Sequence, residues 1–282
     1  MLTKSQLKEI FSKYSFRPLK RFGENYLIDG NIKDKIIKEV RVADNDVILE
    51  IGPGLGALTM DLAESGTAIF AVEKDKKAFA ILNDIVGKDF PRLKLFNDDI
   101  LKFDLKKLPH SKKIKVVGNL PYYITTPIIE RLIENKSLVE FALIVIQREV
   151  AARLTASPGT KDYSSISCFV QYFMRPTYIY TIKRTCFYPP PEVDSALLRL
   201  DALDRPSVEV KDERLFFKII RGAFNQRRKS IINSLSRKEV LGMSKTSLSA
   251  ALDDIGIDPA IRPETLSLSD FAKIANACAQ QN

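Results

Sequence analysis

The stretch Val116-Val117-Gly118-Asn119-Leu120-Pro121-Tyr122-Tyr123 gathers the residue types best suited to holding a flat heterocycle. A β-branched pair runs into Gly118, and Asn, Pro and an aromatic follow at once. That reads as a buried strand opening into a rigid loop. Pro121 fixes its own φ and biases Leu120 toward an extended backbone, so Asn119 and Tyr122 are presented at set positions. An amide carbonyl beside an aromatic face suits a base with an exocyclic amino group: the amide accepts from the amine while the ring stacks on the base. A plain Asn-Pro turn leaving a core strand has the same local sequence. The chain upstream favours the chemical reading.

Three further groups stand at similar places upstream. Gly52-Pro-Gly-Leu-Gly56 follows an apolar run, Glu73 ends a second, and Asp98-Asp99 follows a third. A glycine turn with an acid about twenty residues on resembles a dinucleotide fingerprint, but G-x-G-x-G lacks the last glycine of G-x-G-x-x-G. A nicotinamide-dependent dehydrogenase is disfavoured on that spacing. Glycines here let backbone approach a ligand, and a helix N-terminus favours a carboxylate. Glu73 is placed to accept from ribose hydroxyls, and Asp99 from an adenine amine. S-adenosylmethionine offers all three groups: a carboxylate, a ribose and an adenine.

Other chemistries are excluded more simply. His110, the one histidine, sits in a Pro-His-Ser-Lys-Lys loop and reads as a surface residue, which argues against Ser-His-Asp hydrolysis. No Cys-x-x-Cys occurs, which argues against a zinc deaminase, and no metal is expected. Cys168, Cys186 and Cys278 are odd in number and widely spaced, as in a reducing compartment. Hydrophobic content of 45% with 28% charged residues is that of a soluble protein. No apolar run reaches membrane-span length, and the first residues lack the apolar core of a signal peptide. A cytoplasmic protein is expected.

Charge is concentrated. Residues 1–21 carry six Lys/Arg against Glu9, and residues 211–238 carry nine against Asp212 and Glu213, within a net of +9. Two basic clusters suit a polyanion held across a neutral body, although lysine-rich helices on a solvated surface look the same.

The elements that must position these residues alternate. Strands are predicted over 47–51, 67–72, 93–96, 114–117 and 141–146, with helices over 31–40, around 57–65, from Asp75 to Gly87 and from about Thr125. Strand-helix alternation implies an α/β, doubly wound parallel sheet, whose ligand site lies beyond the C-terminal strand ends. Gly52, Gly54, Glu73, Asp99 and Asn119 all fall there. After Gln147 the reading is strands at 166–173, 178–182 and 196–200, a stiff Phe187-Tyr-Pro-Pro-Pro191 segment, and a linker at 201–209. Helical periods follow at 215–235, 248–252 and 271–278. The expected organisation is a basic N-terminal arm (1–22), a Rossmann-like catalytic domain (23–204) and a small all-α C-terminal domain (205–282).

Arg21-Phe-Gly-Glu-Asn-Tyr-Leu27, Glu50-Ile-Gly-Pro-Gly54, Asn119-Leu-Pro-Tyr122, Gln147-Arg-Glu-Val150, Phe187-Tyr-Pro-Pro-Pro-Glu-Val-Asp-Ser195 and Ala223-Phe-Asn-Gln-Arg-Arg-Lys229 occur in order. Together they resemble the rRNA adenine N6,N6-dimethyltransferase family, in its KsgA-like small-subunit branch, from about residue 17 to the C-terminus. The resemblance implies a seven-stranded S-adenosylmethionine-dependent methyltransferase domain and a helical domain that helps hold rRNA. It implies cofactor contacts from Asn25, Leu27, Gly52, Gly54, Glu73, Asp99 and Asn119. Glu24 stands where the family has Gln and is given no role. Asp99 is preferred to Asp98 because it matches the family's aspartate before an Ile/Ala position.

The implied substrate is 16S rRNA in the small ribosomal subunit or its precursor, with a monomeric enzyme dimethylating two adjacent adenosines of the 3′-terminal hairpin loop. Asn119 through its side chain and Leu120 through its backbone carbonyl would accept the amine's protons, with Pro121 stiffening the loop. Tyr122 and Phe187 would face the base. Lys20, Arg21, Arg221, Arg227, Arg228 and Lys229 would grip phosphates. A large-subunit 23S rRNA methylase shares the N-terminal motifs, but the 223–229 segment argues against it. A non-catalytic RNA-binding assembly or transcription factor on the same fold is disfavoured by the intact Asn-Leu-Pro-Tyr.

Overall fold

In the computed structural model, residues 3–18, 25–86, 89–109, 112–226 and 229–279 are described, and the first of them depart from a loose arm. Thr3 and Gln6 cap each other across the first turn of α1 (Lys4–Lys13), at 2.8 and 3.3 Å. Leu7 and the following Phe16 are buried with Tyr26, Leu55, Ala78 and Ile81. Lys4, Lys8 and Lys13 stay exposed. Residues 3–18 of the expected arm are therefore no separate arm: a helix with one apolar stripe gains more by burying it than by staying in water.

Two units are distinguished, Met1–Ala151 with Thr177–Asp204, and Ala152–Pro176 with Arg205–Asn282. The first is built on a seven-stranded sheet of order β4-β3-β2-β5-β6-β9-β7. Its strands are β2 (Val47–Ile51), β3 (Ala68–Glu73), β4 (Leu93–Asn97), β5 (Ile114–Asn119), β6 (Val139–Gln147), β7 (Met174–Ile182) and β9 (Ser195–Ala202). β1 (Tyr26–Leu27) and β8 (Phe187–Tyr188) form a separate antiparallel pair. Every residue of β2 is buried, as expected of a parallel strand covered on both faces. The helices between strands are α2 (Gly30–Val40), α3 (Thr59–Glu64), α4 (Lys76–Val86) and α5 (Thr125–Glu134). Asp29 caps α2 by accepting from Ile32 N–H at 3.1 Å, and Asp75 caps α4 through Lys77 and Ala78 N–H, both at 2.8 Å.

Register sets the site. Ile51 pairs with Val72 on one side and Gly118 on the other, Glu73 pairs with Asn97, and Asn119 with Val145. The C-terminal ends of β2, β3, β4 and β5 thus finish side by side, where the chain order reverses direction across the sheet. That is the crevice in which doubly wound sheets bind ligands.

The second unit departs from the expected boundaries. Residues 152–176 group with the C-terminal helices, and 166–173 is helical, in α7 (Ser165–Phe173), which follows α6 (Arg148–Thr155). Ser164 N–H donates to Ser167 Oγ at 3.0 Å, supplying a helix start. Cys168 and Tyr172, four apart, then enter one core with Phe216 and Phe217. The rest comprises α8 (Glu213–Phe224), α9 (Ile231–Leu235), α10 (Lys245–Asp254) and α11 (Leu268–Cys278). The single helical period expected over 215–235 is two helices, and the expected linker is shortened because β9 runs to Ala202 and Val208 packs on the helical core. Among the described residues, no helix is long and apolar enough to cross a membrane.

Candidate active site

A pocket in the first unit opens at the C-terminal strand ends, lined among others by Asn25, Leu27, Glu50, Gly52, Gly54, Glu73, Asp99, Asn119, Pro121 and Phe187. Glu73, at the end of β3, organises the glycine turn. Its Oε2 accepts from Gly54 N–H at 2.9 Å and its Oε1 from Asp75 N–H at 2.8 Å. Burial raises its pKa, against the pull of those two backbone donors. A carboxylate has about four acceptor positions, so each oxygen keeps one for a ligand hydroxyl. Gly54 has φ +57°, and a Cβ there would stand 3.0 Å from the Tyr26 ring. Glycine there takes the left-handed backbone without strain and without crowding that ring.

Asp99 is half-buried, with Oδ1 accepting from Leu101 N–H at 3.0 Å and Oδ2 paired with Lys74 Nζ at 2.8 Å. Burial opposes its charge, yet the Lys74 and Leu101 contacts leave its pKa below the usual carboxylate range. Asp98 also lines the pocket but is exposed and takes the Asp99 N–H at 2.7 Å. Asp99 is therefore the better-fixed of the two acids.

Gly118 lets β5 lie close against β2, since a Cβ there would be 2.7 Å from the Ile51 carbonyl oxygen. Asn119 follows. Its Nδ2 donates to the Asn25 carbonyl at 2.8 Å, which fixes the amide's orientation. Among the described residues, none donates to Oδ1, so the carbonyl end is left for a ligand. Leu120 is buried, and its N–H donates to the Val145 carbonyl at 3.0 Å. Pro121 starts a one-turn helix by accepting from Ile124 N–H at 3.2 Å.

Of the two expected aromatics, Tyr122 is placed differently from expectation. Phe187 is buried in the pocket wall, opposite Leu27 in the β1–β8 pair. Tyr122 does not line the pocket: it is half-buried, and its hydroxyl lies 2.7 Å from Ser195 Oγ at the start of β9. Tyr123, 51% exposed, lines the pocket instead. Two neighbouring tyrosines in a one-turn helix point to different sides, and sequence alone offers no means of choosing between them.

Of the basic residues, Arg221 and Lys229 are exposed in the second unit, while Lys20, Arg21, Arg227 and Arg228 lie outside the described residues. Glu50 and Lys74, which line the pocket, were not expected. A lone carboxylate inside a strand that is otherwise apolar is the signal that marks Glu50.

These residues fit an adenosyl amino acid. Chain neighbours aside, no protein atom stands within 4 Å of where a Gly52 Cβ would lie, two acids are placed to accept from hydroxyl or amine, and Glu50 Oε2 is buried without a hydrogen-bond partner among the described residues. Comparisons agree. A relative from Alkaliphilus oremlandii named Ribosomal RNA small subunit methyltransferase A is 42% identical over 278 residues, covering 97% of this chain and 96% of its own length. The crystal structure of a dimethyladenosine transferase from Plasmodium falciparum aligns with TM-score 0.77 at 24% identity, over 88% of this chain and 95% of that one. That of the 23S rRNA methyltransferase ErmE aligns with TM-score 0.71 at 24% identity, over 91% of this chain and all of that one. The family profile of the ribosomal RNA adenine dimethylases matches residues 16–280, and the chain belongs to that family.

Proposed function

We propose that this enzyme transfers methyl groups from S-adenosylmethionine to N6 of two adjacent adenosines in the 3′-terminal hairpin loop of 16S rRNA, giving N6,N6-dimethyladenosine during small-subunit biogenesis. The observation that carries the reading is the fixed Asn119 amide, whose nitrogen is bound to Asn25 and whose carbonyl faces no donor among the described residues. Bound S-adenosylmethionine supplies an electrophilic methyl group. Glu73 holds hydroxyls, Asp99 holds an amine, and the backbone at Gly52 and Gly54 admits the amino-acid end.

Asn119 Oδ1 and the Leu120 carbonyl accept hydrogen bonds from the two N–H groups of the target amine. They stabilise the positive charge that develops on nitrogen as its lone pair forms the new N–C bond; the methyl–sulfur bond would break in the same displacement, and the surplus N–H proton would pass to water. Positioning and electrostatics suffice, and no general base is needed. The target is single-stranded, because an A-form duplex hides its base edges and a loop adenine flips at low cost. Phe187 in the wall and Tyr123 at the pocket are the aromatic faces nearest such a base, with Tyr122 held by Ser195 beside them.

The small-subunit assignment draws on the relative at 42% identity, whereas likeness to the 23S enzyme extends only to the fold. The helical unit, with exposed Arg221 and Lys229, grips rRNA phosphates. The enzyme acts as a monomer in the cytoplasm, where its ribosomal substrate is assembled. Mass spectrometry of rRNA nucleosides from cells with and without the protein tests the reading. Loss of dimethyladenosine from 16S rRNA alone is expected, and an unchanged 16S profile refutes it.

A further inference from the structure

Glu50 lies in β2, two residues before the glycine turn, and lines the pocket while only 2% exposed. Among the described residues, its Oε2 has no hydrogen-bond partner of standard geometry, and the neighbouring Thr59 hydroxyl of α3 offers it at best a weak contact. A second acid of the same pocket, the half-buried Glu73 of β3, acts on it through its charge. The pocket's lysine, Lys74, is already paired with Asp99. Among the described residues, the two carboxylates thus share one pocket without a cation of their own. Such a pair divides its charge by environment: the better-solvated acid ionises and the other keeps a proton.

Glu73 has two backbone N–H donors and is the one to ionise. Burial, only partly offset by Thr59 and reinforced by Glu73, pushes the Glu50 carboxyl up to about 8.

We infer that Glu50 carries a proton in the ligand-free pocket and releases it to solvent when the cationic amino group of S-adenosylmethionine arrives, so that cofactor binding and proton release are one event. The O–H bond of the acid breaks, the proton passes to water, and the carboxylate left behind is the counter-ion of the ammonium. This rests on reading the pocket as the cofactor site. The sign follows from linkage: the complex holds fewer protons than its separated parts, so affinity strengthens as pH rises. The slope is about tenfold per pH unit where Glu50 is protonated in the free enzyme, and it levels off near the Glu50 pKa. At about pH 6.5 the cofactor's own α-amino group is already charged and does not contribute.

The test is titration calorimetry of the full chain with S-adenosylmethionine at about pH 6.5, in buffers of different ionisation enthalpy. The wild type should release close to one proton per cofactor. Glu50→Gln should release almost none and bind about tenfold more weakly, as for loss of one hydrogen bond to a charged group. Infrared difference spectra of the wild type give a second readout: the carbonyl band of a protonated carboxylic acid should vanish when cofactor is added. A wild type that binds normally without proton release, or an unchanged release in Glu50→Gln, overturns the inference. Glu73→Ala separates this from failure of the site itself. If Glu73→Ala leaves affinity untouched, the pocket reading falls. If Glu73→Ala weakens binding and the wild type releases no proton, only the Glu50 inference falls.

Discussion

Asn119 presents one atom to the pocket. Because Nδ2 is held by the Asn25 carbonyl, Oδ1 is the end presented to a ligand, and truncation removes that acceptor without opening the sheet. Asn119→Ala should slow single-turnover methyl transfer on the order of 10²–10³-fold at saturating cofactor. Cofactor affinity, read by calorimetry, should stay within a few-fold of wild type because Glu73 and Asp99 remain. Transfer at the wild-type rate would remove the amide from the mechanism. Asn119 and Glu73 were legible in the sequence because each ends an apolar run, where a polar residue has no packing role. Glu50 sits inside such a run and carries only a weaker signal, that of a lone carboxylate in an apolar strand. Tyr122 and Tyr123 are chemically alike, and the Ser195 hydroxyl that anchors Tyr122 is distant in sequence.

At the scale of elements, β5 carries Asn119 to the site only because Gly118 lets it approach β2. Gly118→Ala places a Cβ against the Ile51 carbonyl. The strands must separate, which should cost about 1–3 kcal/mol. A thermal or urea melt should show the loss, together with weaker cofactor binding, and an unchanged midpoint would mean that the approach is not tight. The parallel strands were legible from sequence because covering both faces leaves an unbroken apolar signature, as in β2. The segment 166–173 was misread for the converse reason. A short apolar run fits a strand or a buried helix equally, and the choice was made by the Ser164–Ser167 contact and by helical pairing of Cys168 with Tyr172. The N-terminal segment was misread from its charge. Lys4, Lys8 and Lys13 are indeed exposed, but Leu7 and Phe16 fix it to the first unit's core.

For the whole molecule, the functional claim joins a base-modifying pocket in one unit to a basic helical unit that holds RNA. Replacing Arg221 and Lys229 by Ala should weaken rRNA binding and lower its salt dependence by about one unit per lost phosphate contact, with cofactor affinity unmoved. An unaltered salt slope would make them ordinary surface charges. The substrate itself is tested most directly by incubating the enzyme and labelled S-adenosylmethionine with unmethylated small subunits, large subunits and free adenosine, then digesting the RNA and identifying the labelled nucleosides. The account predicts label in small-subunit rRNA alone, as N6,N6-dimethyladenosine at two adjacent positions of the 3′-terminal hairpin. Label confined to large subunits, or a product that stops at N6-monomethyladenosine with enzyme in excess, would contradict it.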